Sequence, residues 1–380
     1  MSRILYFSRD YTTHDHRFLS ALAGTSHQVF YLQLERRGHI LEDRPLPVGI
    51  TAVEWAGGKQ PFTWDQKEAL LADLRRVIGE IQPDLIQAGP VQTSAYLVAL
   101  TGFKPLVTVS WGSDLLVDAG KSARYGEITR FTLAHSAALV GDCLPVEEAA
   151  IANGMPPGKI VIFPWGVDLD HFSPASPSFE RLLFPAHSEN PLFILSTRAW
   201  EPIYGVDILA QGFALAARET PELHLVMLGD GSLSSKLRAI FESSQVMDHV
   251  LFPGQITQND LPNYYRSAEL YLSASRSDGT SISLLEALAC GCPVLVSDIP
   301  GNQAWIKPGE QGWWFRDGSP QSLAEALGRV FAHRQELPNK GLAARRLAEE
   351  CADWRKNFKK LQIVYDLALN IHSASATKTP

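Results

Sequence analysis

Two carboxylates eight positions apart, Asp278 and Glu286, flank a loop of hydroxyls and glycine within the stretch LYLSASRSDGTSISLLEALACGCPVLVSDI, residues 270–299. An ionised carboxylate only accepts hydrogen bonds, and its two oxygens can bridge adjacent hydroxyls of a sugar. The loop between them, Ser275 to Ser283, separates an apolar strand from a helix expected over Leu284 to Cys290. A helix that opens in such a loop presents unpaired backbone N–H groups and a positive dipole end, a setting that attracts phosphate. Carboxylates aimed at phosphate would repel it, so Asp278 and Glu286 are expected to serve hydroxyls on either side. The ligand described in this way has phosphate at its middle and polyols at its ends, as a nucleoside diphosphate sugar does. A second reading stays open, because Ser283-Leu284-Leu285-Glu286 also spells a capping box in which Glu286 merely caps its own helix.

Further along the same logic, Arg198 follows the strand Leu192 to Ser196 and precedes a helix expected over Val206 to Ala217. A guanidinium there is placed to clamp a diphosphate with its fork of donors. Arg276, beside the central loop, is a second cation of the same kind or a surface charge. Gly229 and Gly231 form a Gly-x-Gly on a strand-to-helix turn, which either cradles a ligand or only makes the turn. Near the start of the chain, His14 and His16 lie in a polar loop, as site residues or as solvated ones. Asp114, in Trp111-Gly112-Ser113-Asp114, is either a site residue or the N-cap of the next helix. No Asp-x-Asp pair is placed to hold a divalent ion between phosphates, and no metal or other cofactor is expected.

The elements that must position these residues alternate along the whole chain. Strands are expected at 3–8, 27–34, 84–87, 105–110, 138–141, 160–163, 192–196, 224–228, 250–252, 270–274, 294–297 and 312–315. Helical stretches separate most of them, with two long final helices at 339–351 and 353–369. Such alternation implies doubly wound parallel sheets, whose ligands bind at the carboxyl edge of the strands. At 380 residues the chain suits two domains of ordinary size. The expected division is a first domain over 1–173, a Pro/Ser-bearing linker over 174–189 and a second domain over 190–352. A C-terminal helix, about 353–372, returns to the first domain, and the polar tail from Ser373 to Pro380 is expected to be disordered.

Composition removes several functional classes. A hydrophobic share of 45% and a charged share of 20% are those of a globular protein with real cores. The net charge of -7, with 15 Lys/Arg against 19 Asp/Glu in the first 173 residues, excludes a general nucleic-acid binder. Basic pairs such as Arg36-Arg37 and Arg75-Arg76 read as solvated faces. No apolar run approaches the roughly 18 residues of a membrane span, and the N-terminus reads as a strand rather than a signal peptide. Of the four cysteines, Cys290 and Cys292 lack zinc-ligand spacing, and a reduced, cytoplasmic setting is expected.

The central stretch resembles the donor-binding motif of retaining glycosyltransferases of the two-Rossmann-domain (GT-B) type, family 4. That motif has an acid, seven residues and a Glu in a strand-loop-helix, then Ala-x-Gly-x-Pro-Val. Here Asp278 and Glu286 are followed in register by Ala289, Gly291, Pro293 and Val294. The Gly166-Val167-Asp168 turn with Phe172 is a second similar feature, expected to pin the chain where it leaves the first domain. The resemblance implies two Rossmann-like domains facing across a cleft, with transfer of a sugar from a nucleoside diphosphate donor to an acceptor hydroxyl. Configuration would be retained without a metal, as in polysaccharide biosynthesis. It places the diphosphate on Arg198 and on the loop Gly279, Thr280, Ser281, Ile282 and Ser283. The ribose falls to Glu286, the transferred sugar to Asp278 and the base to the segment around Phe252. Asp114 and His14 complete the candidate catalytic set, facing a sugar-containing, lipid-linked or small-molecule acceptor, and peripheral membrane contact is compatible with the second of these. Three positions depart from the pattern: Asp278 stands where Glu is usual, Tyr204 where Lys is, and Trp111 where His is. They motivate two alternatives, a non-catalytic nucleotide or sugar binder and a nucleotide-sugar epimerase.

Overall fold

The computed structural model describes residues 1–36, 42–175 and 191–376, with side chains described up to residue 371. The expected linker lies almost wholly outside these residues, as do Arg37 and the last four residues. The chain forms two compact units, Met1–Phe163 with Phe358–Pro380, and Pro164–Asn357.

In the first unit, seven parallel strands run through β1 (Arg3–Ser8), β2 (Gln28–Gln33), β3 (Ile50–Ala52), β4 (Leu85–Gly89), β5 (Leu106–Val109), β6 (Ala138–Gly141) and β7 (Ile160–Ile162). Their order is β3-β2-β1-β4-β5-β6-β7. β1 pairs on one side with β2, from Arg3 opposite Gln28, and on the other with β4, from Ile4 opposite Leu85. Strands buried on both faces read as continuous apolar runs, which is why they were legible. β3 was not expected: it is three residues long at the sheet edge, and its Thr51 and Ala52 are exposed.

In the second unit the strands are β8 (Leu192–Ser196), β9 (Leu223–Leu228), β10 (Val250–Gly254), β11 (Leu270–Ser273), β12 (Val294–Ser297) and β13 (Gly312–Phe315). All are parallel, in the order β10-β9-β8-β11-β12-β13. The chain reverses direction across the sheet between β8 and β11, so the loops after those two strands open a crevice at the carboxyl edge. Arg198 is on the first loop and Asp278 on the second. Helices cover both faces of the sheet. Leu209, Phe213 and Leu327 belong to one core, and Leu285, Leu288 and Ala344 belong to another.

Several boundaries moved for local reasons. The segment Pro164 to Phe172 belongs to the second unit, where Val167 N–H donates to Ala352 O at 2.8 Å and the Phe172 ring meets Tyr265. Phe172 therefore holds the chain to the second unit, just past the point where it leaves the first. The expected helix over 353–369 is broken into Trp354–Asn357 and Lys359–Ala376. The Val167–Asp353 bridge and the Asp353 carboxylate, which accepts from Arg355 N at 2.9 Å, hold the chain in a new start there. Lys359–Ala376 also carries the helix past Ser373, where a disordered tail was expected.

Glycines allow the two loops of the second crevice to touch. Gly205 has φ +58° and packs its Cα side against the Ala274 carbonyl oxygen, where a methyl group would overlap that oxygen. Gly205→Ala is therefore expected to cost about 3 kcal/mol or more, from left-handed backbone strain plus the clash. Urea unfolding that shows a loss under 1 kcal/mol would contradict this packing.

Candidate functional site

The helix after β11 runs Ile282–Ala289, two residues earlier at its start than expected. Its N-cap is Ser281, whose Oγ accepts from Leu284 N at 3.4 Å. The capping box anticipated at Ser283 and Glu286 therefore does not form. Glu286 is 3% exposed, and its Oε2 accepts from Tyr265 Oη at 2.9 Å. Tyr265 also shares a 3.0 Å hydrogen bond with Thr197, in the loop after β8. Burial, then the nearby Glu286 carboxylate, holds the Tyr265 hydroxyl well above its ordinary pKa, so it stays a donor.

Arg198 is the cation of this crevice. Its side chain is 11% exposed and that of Asp278 is 18% exposed, and Nη2 donates to Asp278 Oδ2 at 2.7 Å. Nη1 donates to Ser281 Oγ and Ser283 Oγ, each at 2.9 Å. The guanidinium lies over the ring of Tyr204, 4.0 Å from its centroid. Burial is the largest influence and works against the charge, but the Asp278 carboxylate together with Tyr204, Tyr271 and Tyr265 outweighs it and keeps the pKa of Arg198 above its usual value. Tyr204, in the place where a lysine was anticipated, thus supports this cation through a cation–π contact and adds no second charge.

The remaining donor-side candidates divide between crevice and scaffold. Arg276 anchors its loop through its N–H on Ile203 O at 2.9 Å, and its Nη2 approaches Gly318. Thr280 is buried, and the backbone of Asp278 and Gly279 packs so closely on Gly301 that a methyl there would meet Gly279 O at 2.6 Å. Ile282 is half-buried and packs on the core beneath the helix. Gly229 and Gly231 serve the turn: Gly229 has φ +96° and its N–H donates to Gly254 O, while a methyl on Gly231 would meet Trp200 O at 2.6 Å. Phe252 packs edge-on to Trp200 and lies 4.7 Å beneath the Arg238 guanidinium. Sequence reasoning missed Tyr265, Thr197 and Arg238. Their roles arise from strand order, which brings separate loops together, and no local spacing signals it.

In the first unit, His14 and His16 lie in the helix after β1 rather than in a polar loop, and His14 meets Trp111 of the loop after β5 with ring centroids 5.1 Å apart. Phe18 also meets the indole edge-on. His14 opens the helix Thr13–Ala23, which Thr12 and Asp15 cap reciprocally. Asp114 is neither the N-cap of its helix, which is Gly112, nor open to a substrate. At 3% exposure its Oδ1 accepts from Ser110 Oγ at 2.6 Å and from Leu115 N, and its Oδ2 accepts from Val91 N at 3.0 Å. Burial raises its pKa against those bonds, and the carboxylate ties two loops together. Among the described residues no group of three or more His, Cys, Asp or Glu stands ready to hold a metal ion. Among them, too, no helix is long and apolar enough to cross a membrane.

Asp15 is fully buried, and burial lifts its pKa from 3.8 to about 6 despite hydrogen bonds from Thr12 and Tyr6. The folded state therefore holds this proton more tightly than the unfolded chain, and stability from this group is lost as pH rises from about 4 through 6. Relative to Asp15→Asn, the natural protein should lose about 2 kcal/mol between pH 4 and 7, checked by urea unfolding across that range. Removing the buried donor with Tyr265→Phe should cost about 1–3 kcal/mol, because Glu286 keeps its burial and loses a partner. An unchanged urea midpoint would show that the Tyr265–Glu286 bond contributes nothing.

Comparison with known proteins matches residues 182–357 to the family model "Glycosyl transferases group 1" and residues 3–142 to "Glycosyl transferase 4-like". The D-inositol 3-phosphate glycosyltransferase of Streptomyces scabiei is 28% identical over 228 residues, covering 57% of this chain and 50% of that protein. This chain thus spans about half the length of that relative, and less of some others. The GDP-mannose-dependent alpha-(1-6)-phosphatidylinositol monomannoside mannosyltransferase of Mycolicibacterium smegmatis is 23% identical over 327 residues, 80% of this chain and 82% of that one. Among solved structures, Anabaena HepE in complex with UDP and glucose superposes with a TM-score of 0.80 at 17% identity, over 96% of this chain and all of that one. At that identity the likeness establishes the shared two-domain fold.

Proposed function

We propose that this chain, whose residues 182–357 match the glycosyl transferases group 1 model, transfers a sugar from a nucleoside diphosphate donor to an acceptor hydroxyl, with retention of configuration. One observation carries the reading. At the point where the second sheet reverses, a buried guanidinium and the N-terminus of Ile282–Ala289 converge through Ser281 and Ser283. A diphosphate is the ligand that uses both, since each supplies N–H donors and positive charge to anionic oxygens.

In this reading Arg198 and the loop amides from Gly279 to Ser283 hold the diphosphate, with Arg276 as a further cation at the rim. Glu286, fixed by Tyr265, presents its other oxygen to the ribose, and the turn near Phe252 supports the base. The bond from the anomeric carbon to phosphate breaks as the acceptor oxygen attacks from the same face. The leaving phosphate takes the acceptor's proton, so neither Trp111 nor a metal ion is needed. Arg198 and the helix end stabilise the charge that develops on the leaving group, and positioning supplies the rest. His14, set against Trp111, is assigned to the acceptor side, whereas Asp114 is withdrawn from the catalytic set. The names of the two relatives favour acceptors bearing an inositol or lipid-linked glycan, with the reaction in the cytoplasm, a compartment that suits four free cysteines.

Thermal-shift screening against UDP, GDP, ADP and their sugar conjugates tests this assignment. One nucleotide family at 100 times its dissociation constant should stabilise the protein by about 2.7 kcal/mol, and Glu286→Ala should weaken that response by at least tenfold in affinity. Binding without turnover on any glycan or lipid-linked acceptor would favour the non-catalytic binder. Donor conversion without an acceptor would favour an epimerase.

A further inference from the structure

The carboxylate that the family pattern assigns to the transferred sugar is in contact with the cation assigned to the diphosphate. Asp278 Oδ2 takes Nη2 of Arg198, while the neighbouring Nε–H is buried and meets no hydrogen-bond acceptor. The Nε/Nη2 edge is the side of a guanidinium that receives two oxygens of one anion in parallel. Asp278 therefore fills half of an edge built for a bidentate partner. On the opposite end, Nη1 has both protons committed to Ser281 and Ser283. The ring of Tyr204 covers one face.

We propose that Asp278 is a displaceable counter-ion: in the donor-free protein it neutralises Arg198, and the donor's diphosphate takes over the Nε/Nη2 edge and releases the carboxylate toward the sugar hydroxyls. This deepens the reading above and rests on it. The exchange moves a side chain only, since the backbone at Asp278 and Gly279 is held against Gly301. Two phosphate oxygens satisfy both donors of the edge, which one carboxylate oxygen does not, so the exchange favours the ligand. Asp278 thus lowers affinity for the nucleoside diphosphate alone and regains its worth only when a sugar is attached. The contact couples departure of the product diphosphate to return of the carboxylate. No covalent change is involved.

The test measures dissociation constants of inorganic pyrophosphate, UDP, GDP and their sugar conjugates for the natural protein and for Asp278→Asn, by calorimetry. Removing the competing charge should tighten pyrophosphate and the preferred nucleoside diphosphate about tenfold. The nucleotide sugar should gain clearly less, so the ratio of the two affinities shifts against the sugar conjugate. Asp278→Ser must change affinity in the same direction, and ligand-free thermal midpoints report that both variants fold. A nucleoside diphosphate that binds the natural protein but binds neither variant more tightly would overturn the counter-ion role while leaving the donor reading intact. Absence of binding by every phosphate ligand to all three proteins would overturn both.

Discussion

Burying a guanidinium is the constraint around which the second unit is arranged. Removing such a charge from water is costly unless hydrogen bonds and an opposite charge surround it. Here the surroundings come from three sources: Asp278 and Ser281 from the loop after β11 with Ser283 from the first turn of the following helix, the Tyr204 ring from the loop after β8, and the sheet that sets those loops side by side. Gly205 and Gly301 permit the close backbone approaches, and Ser281 caps the helix while accepting from Arg198. The same few atoms thus organise the crevice, start the helix and hold the charge that an anionic ligand needs.

The first unit solves a different problem with the same sheet plan. Its carboxyl edge contains buried carboxylates: Asp15 holds the start of its helix to β1, and Asp114 ties two loops, beside the half-buried pair His14 and Trp111. Buried acids of this kind stabilise a loop geometry only when their partners are complete. In the function proposed above, the second unit would supply fixed charge for a phosphate, and the first an aromatic and imidazole pair on the acceptor side. Loops on a rigid doubly wound scaffold can differ in this way without altering the core.

Residue order in the second unit was largely legible. Continuous apolar runs marked every strand of its sheet, and the Ser/Thr/Gly loop marked the helix start to within two residues. The glycines were recognisable as turn residues. What stayed hidden were pairings across loops. Glu286 could be read equally as cap or ligand contact until Tyr265 was seen on its oxygen, and Asp114 as cap or site until Val91 N–H and Ser110 were seen on both of its oxygens. The edge strand β3 escaped notice because three residues, two of them exposed, carry no hydrophobic period.

By itself, then, the sequence determined the class of fold and suggested the kind of ligand proposed for it, because hydrophobic period, turn chemistry and the spacing of acids are local properties of a chain. Tertiary structure decided which groups neutralise one another. Asp278 and Arg198 are eighty positions apart, and their contact exists because β8 and β11 are neighbours in the sheet. Electrostatic partnership falls off with distance in space rather than along the chain, so only the folded arrangement could settle it.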